Sequence, residues 1–244
     1  MRAANAPAPW ASIVAINGSH RIDGLTGQVL ATLGQAAAAR GVGFDVIHLT
    51  QHLIQPCGRC GDCNTRRIPC EQKGDDVAGL VERIQGYAGI IYATPVYGFG
   101  MSGLMQTFVE RAGVGYLRFE RPLANKVAGV VVTGRRYSHD RVYGQLVDNV
   151  LLNRMIIAGS GFPAFVQGQF GGDPGADGEG MASAMLTLER MIDLLSVLLL
   201  PHNGPDEVRR RLASLPHNER AALEGLPGQP EAHALLSAGS EELR

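Results

Sequence analysis

Cys57, Cys60, Cys63 and Cys70 are the only cysteines of the chain, and they form one C-x2-C-x2-C-x6-C run. Thiolates brought together by short loops make a site for a soft metal centre. Three at two-residue intervals with the fourth set further off suit an iron–sulfur cluster better than zinc, whose all-cysteine sites favour two separated C-x2-C pairs. Two other readings stand beside the cluster: structural zinc, and a metal-free set of redox or buried thiols. Arg59, Arg66 and Arg67 would offset the negative charge of a thiolate-bound centre or, with no metal bound, lower thiol pKa values.

A second chemical segment is Asn17-Gly18-Ser19-His20-Arg21-Ile22-Asp23-Gly24-Leu25-Thr26-Gly27, between an apolar strand and a helix start. Backbone amides at a helix N-terminus favour anions, glycines permit close approach, and Ser19, Thr26 and Arg21 add donors. The segment is neither a Walker loop nor a G-x-G-x-x-G fingerprint, and its spacing suits one terminal phosphate rather than a pyrophosphate. A third, Ala93-Thr94-Pro95-Val96-Tyr97-Gly98-Phe99-Gly100-Met101-Ser102, could line a flat heterocycle with backbone amides and Tyr97. A fourth, Thr133-Gly134-Arg135-Arg136-Tyr137-Ser138-His139, is polar and basic and could meet ring carbonyls or an anionic reductant. No nucleophile–base pair stands out as a covalent catalyst.

The elements that must position these segments alternate. Strands are expected at Ser12–Asn17, Phe44–Leu49, Gly89–Ala93, Lys126–Thr133 and Phe162–Val166. Helices are expected at Leu25–Arg40, from an Asp75-Asp76 cap to about Tyr87, at Ser102–Arg111, at Tyr143–Ala158 and at Met181–Leu200. Five strands separated by helices imply an α/β doubly wound parallel sheet, whose ligands bind beyond the carboxyl ends of the strands. Residues 11–200 are read as that domain, with a cysteine-rich loop insertion at 55–75. Residues 1–10 are read as a flexible N-terminal segment and 201–244 as a C-terminal helical extension.

A hydrophobic content of 45% is enough to fill a sizeable core. A net charge of −1 excludes the basic excess that nucleic acid or an anionic membrane would call for. The apolar run Leu194–Leu200 is far shorter than a bilayer span, and Met1–Pro9 lacks the apolar stretch of a secretory signal. The expectation is a cytoplasmic protein, where clustered thiols favour a metal over disulfides.

Taken together, these residues resemble the iron–sulfur flavoproteins within the NAD(P)H-dependent FMN reductase group of flavodoxin-like proteins. The resemblance is carried by G-S-x-R-x-x-G-x-T at Gly18, Ser19, Arg21, Gly24 and Thr26. It is carried also by the four cysteines followed by Asp75-Asp76, by Thr94, Pro95, Val96, Tyr97 and Gly98, and by the acidic–Arg pair Glu110-Arg111. It covers about residues 11–200. Arg135-Arg136 depart from the small residues many relatives carry there, and the segment past Pro201 is not covered.

The resemblance implies a flavodoxin-like five-stranded sheet in the order 2-1-3-4-5. It implies non-covalent FMN held by Ser19, Arg21, Gly24, Leu25, Thr26, Thr94, Pro95, Val96, Tyr97, Gly98, Thr133 and Gly134, and a [4Fe–4S] cluster on Cys57, Cys60, Cys63 and Cys70. It implies a homodimer or homotetramer. The implied activity is electron transfer from NAD(P)H or a ferredoxin-like protein to a small acceptor such as a quinone, a nitroaromatic or an oxygen species. A cluster-free NAD(P)H-dependent FMN/quinone reductase and a non-catalytic flavin/cluster redox sensor remain open alternatives.

Overall fold

The computed structural model describes residues 11–58, 60, 63, 68, 70–113, 119–168 and 173–199. The segments expected at 1–10 and 201–244 lie outside the described residues, as do Arg59, Arg66 and Arg67.

In chain order the elements are β1 (Ala11–Asn17), α1 (Leu25–Ala39), β2 (Val42–His48), α2 (Val77–Gln85), β3 (Gly89–Tyr97), β4 (Gly100–Met101), α3 (Gly103–Ala112), β5 (Val127–Gly134), α4 (His139–Leu152), β6 (Ile156–Ile157), β7 (Ala164–Gln167) and α5 (Gly178–Leu199). β2, β1, β3 and β5 pair in parallel in that order, and β6 and β7 both pair in parallel with β5. The doubly wound, flavodoxin-like arrangement fits the expected order.

The expected number of strands does not, because the sheet has seven among the described residues. β4 is an addition that folds back antiparallel on the end of β3 through Gly98 and Phe99. Both carry positive φ, 56° and 67°, as a two-residue hairpin turn with the right twist requires. The fifth position is divided. The helix expected to reach Ala158 ends at Leu152, because Asn153 caps it by donating to the Asn149 carbonyl at 2.8 Å and Arg154 turns left-handed at φ 55°. Ile156 and Ile157 then pair with Val127 and Ala128. Gly161, at φ 90°, separates them from β7, and Phe162 is exposed rather than part of the strand.

Side-chain alternation sorts the core onto two faces. Val14, Ile16, Ile90, Tyr92, Ala128, Val130 and Val132 face a layer formed by α2, α3 and α4. Ile13, Ala15, Ile91, Ala93, Val127 and Val131 face α1 and α5. The helices answer with stripes at helical spacing: Val29, Leu30, Leu33 and Ala37 on α1, and Val77, Leu80, Val81 and Ile84 on α2. On α3 the stripe runs Met105, Phe108, Arg111, Ala112 and therefore includes a charged residue. No described helix is long and apolar enough to cross a membrane.

Candidate functional site

The loops after β1, β3, β5 and β7 leave the sheet on its carboxyl edge and are joined there by specific contacts. Gly18 donates its N–H to the Ala93 carbonyl at 2.8 Å and accepts at its own carbonyl from Ser102 Oγ at 2.6 Å. Ser102 also caps α3 by accepting from Met105 N–H at 3.1 Å, and its Oγ accepts from Thr94 Oγ1 at 3.2 Å. Gly18 is glycine because α3 passes against it. A Cβ there would meet Met105 Cβ at 2.8 Å and Ser102 Oγ at 3.0 Å. Its missing side chain makes room for protein, not for an anion.

Thr26, in the first turn of α1, shares a 2.7 Å hydrogen bond with Thr133 at the end of β5, and both are buried. Gly168 donates to the Gly134 carbonyl at 2.8 Å, and Leu25 fills the space where its Cβ would lie. His20 and Tyr97 approach with ring centroids 5.7 Å apart, bridging the first and third loops.

The expected cofactor residues thus divide by burial. Ser19, Thr26, Thr94, Pro95 and Thr133 lie inside and hold the loops in register. Ser19 Oγ accepts from Arg21 N–H at 3.1 Å, and its own N–H donates to Asn17 Oδ1 at 2.9 Å. Arg21, Gly24, Leu25, Val96, Tyr97, Gly98 and Gly134 remain accessible along the crevice. α1 follows Gly24 at its N-cap, with no side-chain cap and no acidic residue in its first turn, so its leading amides keep donor capacity for an anion. In the fourth loop Arg135, Arg136 and Tyr137 are exposed.

Three residues of this edge were not singled out for these roles in the sequence. Asn17 pairs with His48 Nδ1 at 3.0 Å and ties β1 to β2. Ser102 joins two loops. His139 is 5% exposed, packs on Phe165, and has Nε2 buried without a partner among the described residues, beside Gly134. Burial pushes its pKa below the ordinary histidine value, so the ring is neutral at pH 7.

The cysteine segment leaves the same edge, after β2. Its neck is closed by a buried clasp. Arg111 Nη1 lies 2.6 Å from Asp75 Oδ2 and 2.6 Å from the Gln55 carbonyl, and Nη2 approaches Cys70 Sγ at 3.9 Å. Both side chains of the ion pair are 1% exposed. Asp75 Oδ2 also accepts from Gln55 N–H at 3.1 Å. Burial alone would raise the Asp75 pKa, but the Arg111 guanidinium and the Gln55 and Val77 amides outweigh it and hold it below the usual carboxylate value.

The expected Asp75-Asp76 cap of α2 is accordingly corrected. Neither carboxylate caps that helix in the usual way. Asp75 is drawn to Arg111, and Asp76 Oδ2 accepts from Leu53 N–H at 2.8 Å, so the pair cross-links the two ends of the loop instead. A sequence signal for this clasp exists, since a charged residue at 111 in an apolar helical stripe demands a buried acidic partner.

All four thiols are free of disulfides, Cys63 buried and Cys57 and Cys60 exposed. The Cys57 thiol is pushed up by burial and then by Glu110, Cys60 and Cys70, against a lowering by Arg111. Cys63 is pushed up by burial and then by Cys70, Cys57 and Cys60. Among the described residues no three ligating side chains converge as a group for a metal ion. The donor set suits a cluster in chemical type, four soft thiols beside a cationic donor. A tetrahedral zinc with Zn–S of about 2.3 Å would draw them tightly together.

A family model described as NADPH-dependent FMN reductase matches residues 11–169. An iron-sulfur flavoprotein of Methanocaldococcus jannaschii is 29% identical over 154 residues, covering 62% of this chain and 77% of that protein. One of Methanosarcina thermophila is 24% identical over 192 residues, covering 76% and 96%. Among solved structures, RosB with a bound 8-demethyl-8-formylriboflavin-5'-phosphate intermediate superposes with a TM-score of 0.64 at 15% identity, over 85% of this chain and 88% of that one. That likeness speaks for the fold alone.

Proposed function

The chain belongs to the NADPH-dependent FMN reductase family and is a flavin-dependent NAD(P)H oxidoreductase, and from that premise we propose that it carries electrons through FMN and a [4Fe–4S] cluster on Cys57, Cys60, Cys63 and Cys70. The donor is NAD(P)H or a ferredoxin-like protein. The acceptor is a small molecule, a quinone, nitroaromatic or oxygen species. The working form is a cytoplasmic homodimer or homotetramer.

When bound, FMN exchanges two electrons with a hydride donor and releases them singly, while a cluster carries one at a time. The chain's own residues bind and orient. The uncapped start of α1, with Arg21 and the turn fixed by Ser19, suits a terminal phosphate. Val96, Tyr97 and Gly98, set on a hairpin end by Thr94 and Ser102, suit one side of a flat ring. Thr133 and Gly134, tied to Thr26 and Gly168, extend that surface, with Gly134 beside Val96. Preorganised amides there favour negative charge developing on a bound heterocycle.

What supports the cluster is the C-x2-C-x2-C-x6-C run of four cysteines, on a segment whose neck is held by the buried Arg111–Asp75 pair. α3 runs about 14 Å from Ser102 at the crevice to Arg111 at the clasp, at 1.5 Å per residue, so one rigid element relates the two sites.

Absorption and EPR spectra of protein purified without air, with iron and zinc analysis, test the proposal. The expected result is flavin absorbance with roughly four iron per chain and an EPR signal on reduction. Zinc without iron would end the cluster. Arg21→Ala is expected to release FMN on dialysis, and unchanged flavin content would count against the phosphate cradle.

A further inference from the structure

Arg111 contributes to no loop that lines the crevice, yet it is one of the largest fully buried side chains of the molecule. Burying a guanidinium is costly unless it is paired, and here the pair with Asp75 does more than neutralise it. Gln55, just before Cys57, and Asp75, just after Cys70, are both held by the same cation. The Nη2 that completes the fork lies 3.9 Å from Cys70 Sγ and 3.4 Å from Asp75 Oδ1. Nε is buried and unpartnered among the described residues, so the charge is not spread over further acceptors.

We propose that Arg111 is a positioning residue that sets the reduction potential of the cluster bound by the four cysteines, acting through its N–H contact with Cys70, with Asp75 as the counter-charge that limits its effect. This rests on the cluster reading above. A reduced cluster carries one more negative charge than an oxidised one. A cation fixed beside a ligand sulfur in a poorly hydrated site favours the reduced form, and a carboxylate there opposes it. In the titration one electron passes from dithionite to the cluster, and no bond is made or broken.

Removing each partner therefore acts with opposite sign. Anaerobic potentiometric titrations followed by EPR, with iron content, on the wild type, Arg111→Met, Arg111→Lys and Asp75→Asn test this. Arg111→Met is expected to move the cluster midpoint to more negative values and Asp75→Asn to more positive ones. Arg111→Lys, which keeps the charge and loses the fork, is expected to fall between the wild type and Arg111→Met. The flavin midpoint is expected to stay in place in all of them.

Should Arg111→Met retain no cluster, the positive shift in Asp75→Asn and the smaller negative one in Arg111→Lys still decide. A clasp that is only structural would change iron content and leave the potential of whatever cluster remained unmoved, or would move it the same way in every variant. Either result overturns the proposal. A wild type without iron overturns the cluster reading itself, which the metal analysis distinguishes.

Discussion

Ser102→Ala is the most revealing perturbation of the crevice. The Ser102 hydroxyl is fully buried and saturated: it donates to the Gly18 carbonyl and accepts from Met105 N–H and Thr94 Oγ1. Alanine removes a helix cap, worth about 1 kcal/mol. It also leaves the buried Gly18 carbonyl without its side-chain donor, at about 1–3 kcal/mol. The sum is a loss of about 2–4 kcal/mol, or about 4–16 °C in Tm at about 2–4 °C per kcal/mol for a domain of this size. The function-linked consequence is specific. Ser102 pins the first loop to the start of α3, so its loss frees the candidate phosphate cradle from the candidate ring loop. Urea denaturation followed by circular dichroism gives the stability, and flavin fluorescence gives the FMN Kd. A loss of stability with weakened FMN binding is expected. A variant within about 1 kcal/mol of wild type, with unchanged Kd, would refute the assigned bridge.

Arg111→Met leaves the Asp75 carboxylate buried without its cation and is expected to cost about 3–5 kcal/mol, whereas Arg111→Met with Asp75→Leu recovers much of it; a double-mutant cycle in urea checks this. Gly27→Ala would place a Cβ 1.8 Å from the Ile22 carbonyl oxygen, so the first loop must move, and FMN Kd is expected to rise at least tenfold, about 1.4 kcal/mol, by fluorescence titration. Asp75 has a lowered native pKa, so its contribution is complete above the ordinary carboxylate value of about 3.9 and is lost as pH falls further. Asp75→Asn should flatten the acid limb of the stability curve below about pH 4. His139 is also lowered, so the unfolded chain binds the proton more readily and stability falls as pH drops below about 6.5. His139→Gln should reduce that slope while leaving the part due to His48, which burial lowers likewise.

Which segments could do chemistry was written in local composition. The cysteine run, the Gly/Ser/Arg turn before α1 and the Thr-Pro-x-Tyr-Gly end of β3 are signals set by residue type and spacing over a few positions. The alternating strands and helices were legible for the same reason, since apolar periodicity is a local property. The division of the fifth strand position was not. It depends on Arg154 and Gly161 adopting left-handed backbone in a segment whose apolar residues read equally well as helix.

What only the tertiary structure decided is how partners far apart in sequence use each functional group. Thr26 and Thr133 carry complementary hydroxyls, but only the parallel stacking of β1, β3 and β5 brings them within 2.7 Å. Asp75 has the sequence position of a helix cap, yet Arg111 on α3 wins its carboxylate. A charge-assisted bond between two buried side chains outweighs a solvent-exposed cap. The sequence by itself determined the kind of chemistry. The packing of α3 across the carboxyl edge decided which side chains position and which remain free to bind, because burial and long-range pairing are properties of the assembled fold.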